Sequence, residues 1–154
     1  LCSISSKAVI GLPVKSITVD QIKVLDGGSQ LAGLSAVQVA ALSKTQILAI
    51  APDDIANLNL TGVAIANVDY TLFDNLSVAQ ISKLTTLQIS GLNATQISVI
   101  TSDQAAAFTA AQAPAFKIIT GLNSTDVVPN LTTSFVAALP TKTFSTLSQT
   151  QLAA

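Results

Sequence analysis

Apolar residues recur along this chain at alternating spacings of five and three, in the octad Leu-Ser/Thr-x-x-Gln-Ile/Val-x-x. A repeat that short means that one unit cannot form a core alone and must borrow walls from its neighbours. Three regular copies begin at Leu76, Leu84 and Leu92, with Gln80, Gln88 and Gln96 in the fifth place and Ile81, Ile89 and Ile97 in the sixth. The frame continues through Ile100, Phe108 and Phe116, and an upstream run begins at Leu34, Leu42, Ile50 and Leu58. Weaker copies start at Ile4, Leu12, Ile17, Leu25, Val68, Leu122, Leu131, Leu139 and Leu147, with slips of a residue or more near positions 17, 34, 68, 122 and 131. Nearly all of the 154 residues are therefore repeat, and residues 1–154 read as a single repeat domain.

Each octad carries the signals of a helix start. Ser, Thr, Asn or Asp in the second place can serve as N-cap, and Gln three residues later can reach back to the cap's backbone amide and complete a capping box. The apolar residues on either side, such as Leu84 and Ile89, are then placed to form a hydrophobic staple. Pro13 and Pro140 follow the leading Leu, and Pro52 stands one place further on, where an absent amide hydrogen costs a helix little.

A continuous helix does not fit, because eight residues at about 100° each rotate the leading Leu by roughly 80° per repeat and no face stays apolar. The spacing predicts an all-α solenoid of short capped helices, restarted every octad or every second octad. A β-solenoid is the alternative, although spacings of five and three do not hold side chains on one face of a strand.

Composition changes the picture at the surface. About half of the residues are apolar (49%) and mean hydropathy is +0.60, while charged residues make up only 10%, against roughly 25% in ordinary soluble domains. The surface must therefore be Ser, Thr, Gln, Asn and Ala. Glu, Arg, His, Met and Trp are absent, and the net charge is -1. Nothing in this balance draws the chain to nucleic acid or an anionic membrane, and no apolar stretch approaches the roughly 18 residues of a membrane span. A nearly uncharged surface favours self-association. The opening Leu1-Cys2 and the absence of polar terminal repeats are the marks expected of a processed fragment, a segment of a longer protein, or a subunit capped by the next one. An ordered part of a longer protein, without its disordered ends, accounts for them equally well.

Catalytic chemistry is thin. Without His, the usual base of a nucleophilic triad and the commonest metal ligand are both missing, so neither an enzyme nor a metal or cofactor site is expected. Asp53 and Asp54 fall in an octad's first turn, where complementing the helix dipole is the simplest role. The stretch Asp26-Gly27-Gly28-Ser29 lacks the lysine of a phosphate loop and reads as the loop that absorbs a frame slip. Phe73, Phe108, Phe116, Phe135 and Phe144 fall mostly at apolar places and read as core. Cys2 has no internal partner for a disulfide and reads either as an inert thiol or as an intermolecular crosslink.

Five of the seven Asn residues stand in Asn-x-Ser/Thr sequons: Asn59, Asn75, Asn93, Asn123 and Asn130. Asn59, Asn93 and Asn123 occupy cap positions, which explains them without glycans, whereas Asn75 and Asn130 only precede a repeat start and are the better glycan acceptors.

The block from Leu34 to Phe116 resembles the Leu-Thr-x-x-Gln-Ile-x-x-Leu arrays of very large secreted or surface-attached repeat proteins, and more distantly the short-helix repeats of mesothelin and stereocilin relatives. The chain departs from the pattern in its slipped frames and in frequent loss of Gln, as at Ala8, Gly62 and Phe135. The resemblance implies an extracellular or cell-surface place and a structural or adhesive role, with no catalytic residues to carry over. The resulting expectation is a self-assembling subunit of a fibre, sheath or matrix. Its partners would be further copies or neighbouring repeats of the same protein, with covalent glycans on any sequon that is used. The alternative is an adhesive or binding module that uses the repeat surface.

Overall fold

The computed structural model describes residues 11, 13–25, 27–58, 70–122 and 126–153. Cys2, Ala8, Asp26, Asn59, Gly62, Asn123 and the octad starts at Ile4, Leu12 and Val68 lie outside the described residues. The fold is all-α, and no strand occurs among the described residues, so the β-solenoid alternative has no counterpart there.

Helices begin where the capping residues stand. Ser77, Thr85, Asn93 and Thr101, spaced by eight, open the helices Val78–Lys83, Thr86–Ser90, Ala94–Ser98 and Ser102–Ala106, each with a complete capping box. Upstream, Thr18, Ser35 and Ser43 do the same for Val19–Lys23, Ala36–Ala40 and Lys44–Ala49, and Ser148 does so for Gln149–Leu152. At Thr85, the Gln88 amide donates to the threonine hydroxyl at 3.2 Å and the Thr85 amide donates to Gln88 Oε1 at 2.8 Å. Seventh-place serines finish the turns: the hydroxyls of Ser82, Ser90 and Ser98 donate to the carbonyls of Ala79, Leu87 and Thr95.

Proline marks element starts, as its place in the octad predicts, but the turns it enters are often tighter than α. Pro52–Asn57, Ala113–Ala115 and Val128–Asn130 are 3-10 helices, each with proline in the first two positions and preceded by Ala51, Gln112 or Val127, none of which supplies a side-chain cap. Without a capping oxygen to hold the first amides, the chain closes shorter i to i+3 bonds. Gly27–Leu31 adopts a π-turn, so part of the slip predicted around Asp26-Gly27-Gly28-Ser29 is taken up inside a widened helical turn and not in an open loop.

No helix among the described residues is long enough to be stable alone, and stability must come from packing between distant octads. Val19–Lys23 packs on Lys44–Ala49, Gly27–Leu31 and Val78–Lys83 both pack on Pro52–Asn57, Thr86–Ser90 on Ala113–Ala115, and Ser102–Ala106 on Val128–Asn130. The first and sixth places of the octad form the core: Leu76, Leu84, Leu92, Ile100, Ile81, Ile89 and Ile97 are all buried. Where Ala105 and Ala113 reduce the sixth place, Phe108 and Phe116 enlarge the first, which conserves volume. Their rings meet edge to face at 4.9 Å, and Phe135 joins them at 5.3 Å from Phe116 and 5.8 Å from Phe108. Phe73, Phe108, Phe116 and Phe135 are core as expected, but Phe144 is not: it is 39% exposed, because no later described turn covers it.

Close approach between turns is most exacting at Gly121. A β-carbon there would lie 2.7 Å from the carbonyl oxygen of Ala94 and 3.4 Å from the amide of Ser98, both backbone atoms of a neighbouring helix. Gly121→Ala must push two backbones apart, and the expected cost is about 1–3 kcal/mol, typical of overpacking. A urea unfolding curve whose midpoint falls while its slope is unchanged would bear this out; an unchanged midpoint would contradict the contact.

Candidate functional site

A five-residue helix leaves almost all of its amide donors and carbonyl acceptors without intrahelical partners. In this chain one side chain settles several of them at once. The fifth-place Gln spends its Oε1 on the amide of its own N-cap and directs its Nε2 to two carbonyls roughly thirty residues earlier in the chain. Gln80 Nε2 donates to Ile47 O at 2.7 Å and Ile50 O at 2.9 Å; Gln88 to Ile55 O at 3.0 Å and Leu58 O at 3.1 Å. Gln104 reaches Phe73 and Leu76 at 2.9 and 2.7 Å, and Gln112 reaches Ile81 and Leu84, both at 2.9 Å. At the ends, Gln46 bonds Val14 and Ile17, and Gln151 bonds Leu122.

The accepting carbonyls form a repeated pair. They stand three residues apart where a helix ends, and the second residue's amide donates to the first carbonyl: Ile50 to Ile47 at 3.1 Å, Leu58 to Ile55 at 3.2 Å, Leu76 to Phe73 at 3.3 Å and Leu84 to Ile81 at 3.2 Å. The Gln amide thus fills acceptors at the C-terminal end of one helix while its oxygen fills a donor at the N-terminal end of another. Gln80, Gln88 and Gln96 are each 1% exposed, and the described residues contain no buried side-chain polar atom without a partner. At two places where Gln is lost another contact stands in: Thr143 donates its hydroxyl to Phe116 O at 2.9 Å, and Phe135 abandons the polar bond for the aromatic cluster.

The residues singled out for chemistry are scattered. Asp53 and Asp54 lie in the first turn of Pro52–Asn57, and Asp53 pairs with Lys83 at the surface, an exposed ion pair of small energetic weight. No cluster of metal-ligating side chains occurs among the described residues. An open cleft of about 490 Å³ runs between Val19–Lys23 and Lys44–Ala49, lined by Lys15, Thr18, Ser43, Thr45 and Gln46 among others. Most of its polar atoms are already committed, since Thr18 and Ser43 cap helices and Gln46 bonds Val14 and Ile17.

Among the sequons, Asn93 caps Ala94–Ser98 with its Oδ1, accepting from the Gln96 amide at 2.9 Å. Asn130 is exposed at the end of a 3-10 turn, where its Nδ2 donates to Asp126 O at 2.7 Å. Asn75 is half-buried, just ahead of the cap Ser77. Reading the sequence for caps finds the Oε1 half of the Gln role and misses the Nε2 half. The missed signal is present in the composition: glutamate completes a capping box as well as glutamine does, yet the chain contains no Glu.

Comparison with known proteins returns no matching family model, no matching curated protein and no matching solved structure.

Substitution at Gln88 separates its two halves. Gln88→Ala removes the side-chain partner of the Thr85 amide, of Leu58 O and of Ile55 O, the last of which keeps only its bond from the Leu58 amide, with an expected loss of about 3 kcal/mol. Gln88→Glu keeps the acceptor for Thr85 but turns a carboxylate toward Ile55 O and Leu58 O, which raises that carboxyl's folded pKa. A raised folded pKa means that the folded state holds the proton more tightly. The variant's stability is therefore present at low pH and lost as pH rises through the folded pKa. Urea unfolding from about pH 4 to about pH 7 checks this, with wild type changing much less. Leu87→Ala, at a neighbouring residue 67% exposed, should stay within about 0.5 kcal/mol of wild type.

Proposed function

We propose that the chain is a solenoid of eight-residue helical units and that it serves as a self-assembling structural subunit of an extracellular or cell-surface fibre, sheath or matrix. The observation that carries this reading is the constant reach of the Gln side chains. Gln46, Gln80, Gln88, Gln104, Gln112 and Gln151 bond backward over 28 to 33 residues, about four octads. A fixed backward reach stacks each turn on the one before it, and a stack has end faces able to continue it. Heterologous contacts between such ends generate filaments when they do not close into rings. The sparse charge, 10% of residues and a net charge of -1, supports close lateral and axial contact between copies. For an adhesive role, the cleft beside Lys15 offers few uncommitted polar groups, since Thr18, Ser43 and Gln46 are already bonded.

Electron microscopy and sedimentation at neutral pH over a wide concentration range test the structural reading. Filaments or ordered sheets are the expected result; a chain that stays strictly monomeric throughout would count against it. The extracellular placement is tested separately. Tryptic mapping of the native protein should find N-linked glycan on Asn130 before Asn93, since Asn130 is exposed whereas Asn93 holds a helix cap. Unmodified asparagine at every sequon would remove that support.

A further inference from the structure

The fold commits its glutamines so thoroughly that an uncommitted one stands out. All eleven glutamines lie within the described segments. In nine of them Oε1 accepts from the backbone amide three residues earlier, and Gln30 is buried with a partner of its own. Gln149 is the exception, exposed and with no hydrogen bond from its side chain to the described residues. It opens the helix Gln149–Leu152, two residues ahead of Gln151, which closes the Ser148 capping box and bonds Leu122 O. Its exposure belongs to its place in the octad. The third place is exposed also at Lys44, Val78, Thr86, Ala94 and Ala110, all of which have octads before and after them.

A free, exposed carboxamide is an acyl donor. The cysteine thiol of a transamidase adds to its Cδ and ammonia leaves; the resulting thioester then passes the acyl group to a lysine amine and releases the thiol, so one amide bond forms for the one broken. The reaction puts negative charge on the carboxamide oxygen, which donors of the transamidase must reach. An Oε1 that already accepts from an N-cap amide is denied to them. Burial excludes the fifth-place glutamines of the inner turns, and Gln21, although exposed, has its Oε1 held by the Thr18 amide at 2.8 Å. Acceptor amines are at hand: Lys15, Lys44, Lys117 and Lys142 are exposed and stand outside the ion pairs that hold Lys23 and Lys83. We propose that Gln149 is the acyl-donor site through which a thiol transamidase joins copies of this chain, in isopeptide bonds to lysines of neighbouring copies. This rests on the structural reading above and adds a covalent bond to it.

Incubation of the folded chain with a calcium-dependent transglutaminase and the fluorescent amine monodansylcadaverine, followed by peptide mapping, locates the donor. Label should enter Gln149 about a hundredfold faster than Gln88, which is reached only through local unfolding. With the dye omitted, denaturing electrophoresis should show a ladder of covalent oligomers whose cross-linked peptides contain Gln149 and a lysine. Gln149→Asn keeps an uncharged amide at an exposed position, so the circular dichroism spectrum should be unchanged while label and ladder are both lost. Label entering Gln88 as fast as Gln149, label at Gln149 without a ladder, or a ladder that survives Gln149→Asn would overturn the cross-link. Sedimentation before the enzyme is added keeps the two failures apart. A chain that assembles but takes no label at Gln149 overturns the cross-link and leaves the structural reading standing, whereas a chain that is monomeric at every concentration and gives no ladder overturns both.

Discussion

The described turns are tied together by primary amides that bond in two directions, at Gln46, Gln80, Gln88, Gln104, Gln112 and Gln151. Gln Oε1 takes the N-cap amide of the helix it belongs to, and Gln Nε2 takes carbonyls at the end of a helix some thirty residues earlier. Helices of five or six residues are almost all terminus, so the usual economy, in which propagation offsets a costly nucleus, is unavailable to them. The chain meets this by making termini satisfy one another through side chains. In a buried layer an unmade bond costs more than a made bond contributes. The Gln network therefore sets register as much as stability: a slip of one residue would take the side-chain partner from an N-cap amide and from a pair of carbonyls at once.

The apolar residues follow from that constraint. Once the fifth place is tied to an earlier turn, the first and sixth places are carried inward on either side of it, and Leu84 and Ile89 become core while Leu87, between them, stays 67% exposed. The scheme tolerates substitution where its physical requirement is met by other means. Thr143 keeps a single donor, and Phe135 replaces the amide with ring contacts to Phe108 and Phe116. It also explains why so little charge is needed. Ion pairs such as Lys83 with Asp53 sit at the surface as additions, while specificity resides in uncharged amides and carbonyls.

Much of the fold was legible because capping is local. Ser77, Thr85, Asn93 and Thr101 announce their helices within four residues of sequence, and the chain obeys them. The departures have the same origin in reverse. Pro52, Pro114 and Pro129 mark starts without supplying a cap oxygen, so their turns tighten to 3-10. Phe144 occupies a core place in the octad, but burial depends on a following turn, which a local pattern does not contain. The long-range half of the Gln role was likewise hidden, since spacing within an octad carries no information about what lies four octads away. Only the exclusion of Glu from a capping box that would accept it pointed there.

The most direct measurement of this account is hydrogen exchange of the glutamine side-chain amides by nuclear magnetic resonance. Gln46, Gln80, Gln88, Gln104 and Gln112, each buried with Nε2 bonded to two carbonyls, should exchange orders of magnitude more slowly than Gln21, which is exposed and serves as the internal control. Exchange of all five at the rate of Gln21 would show that the backward bonds are not formed and would remove the interaction on which the fold rests.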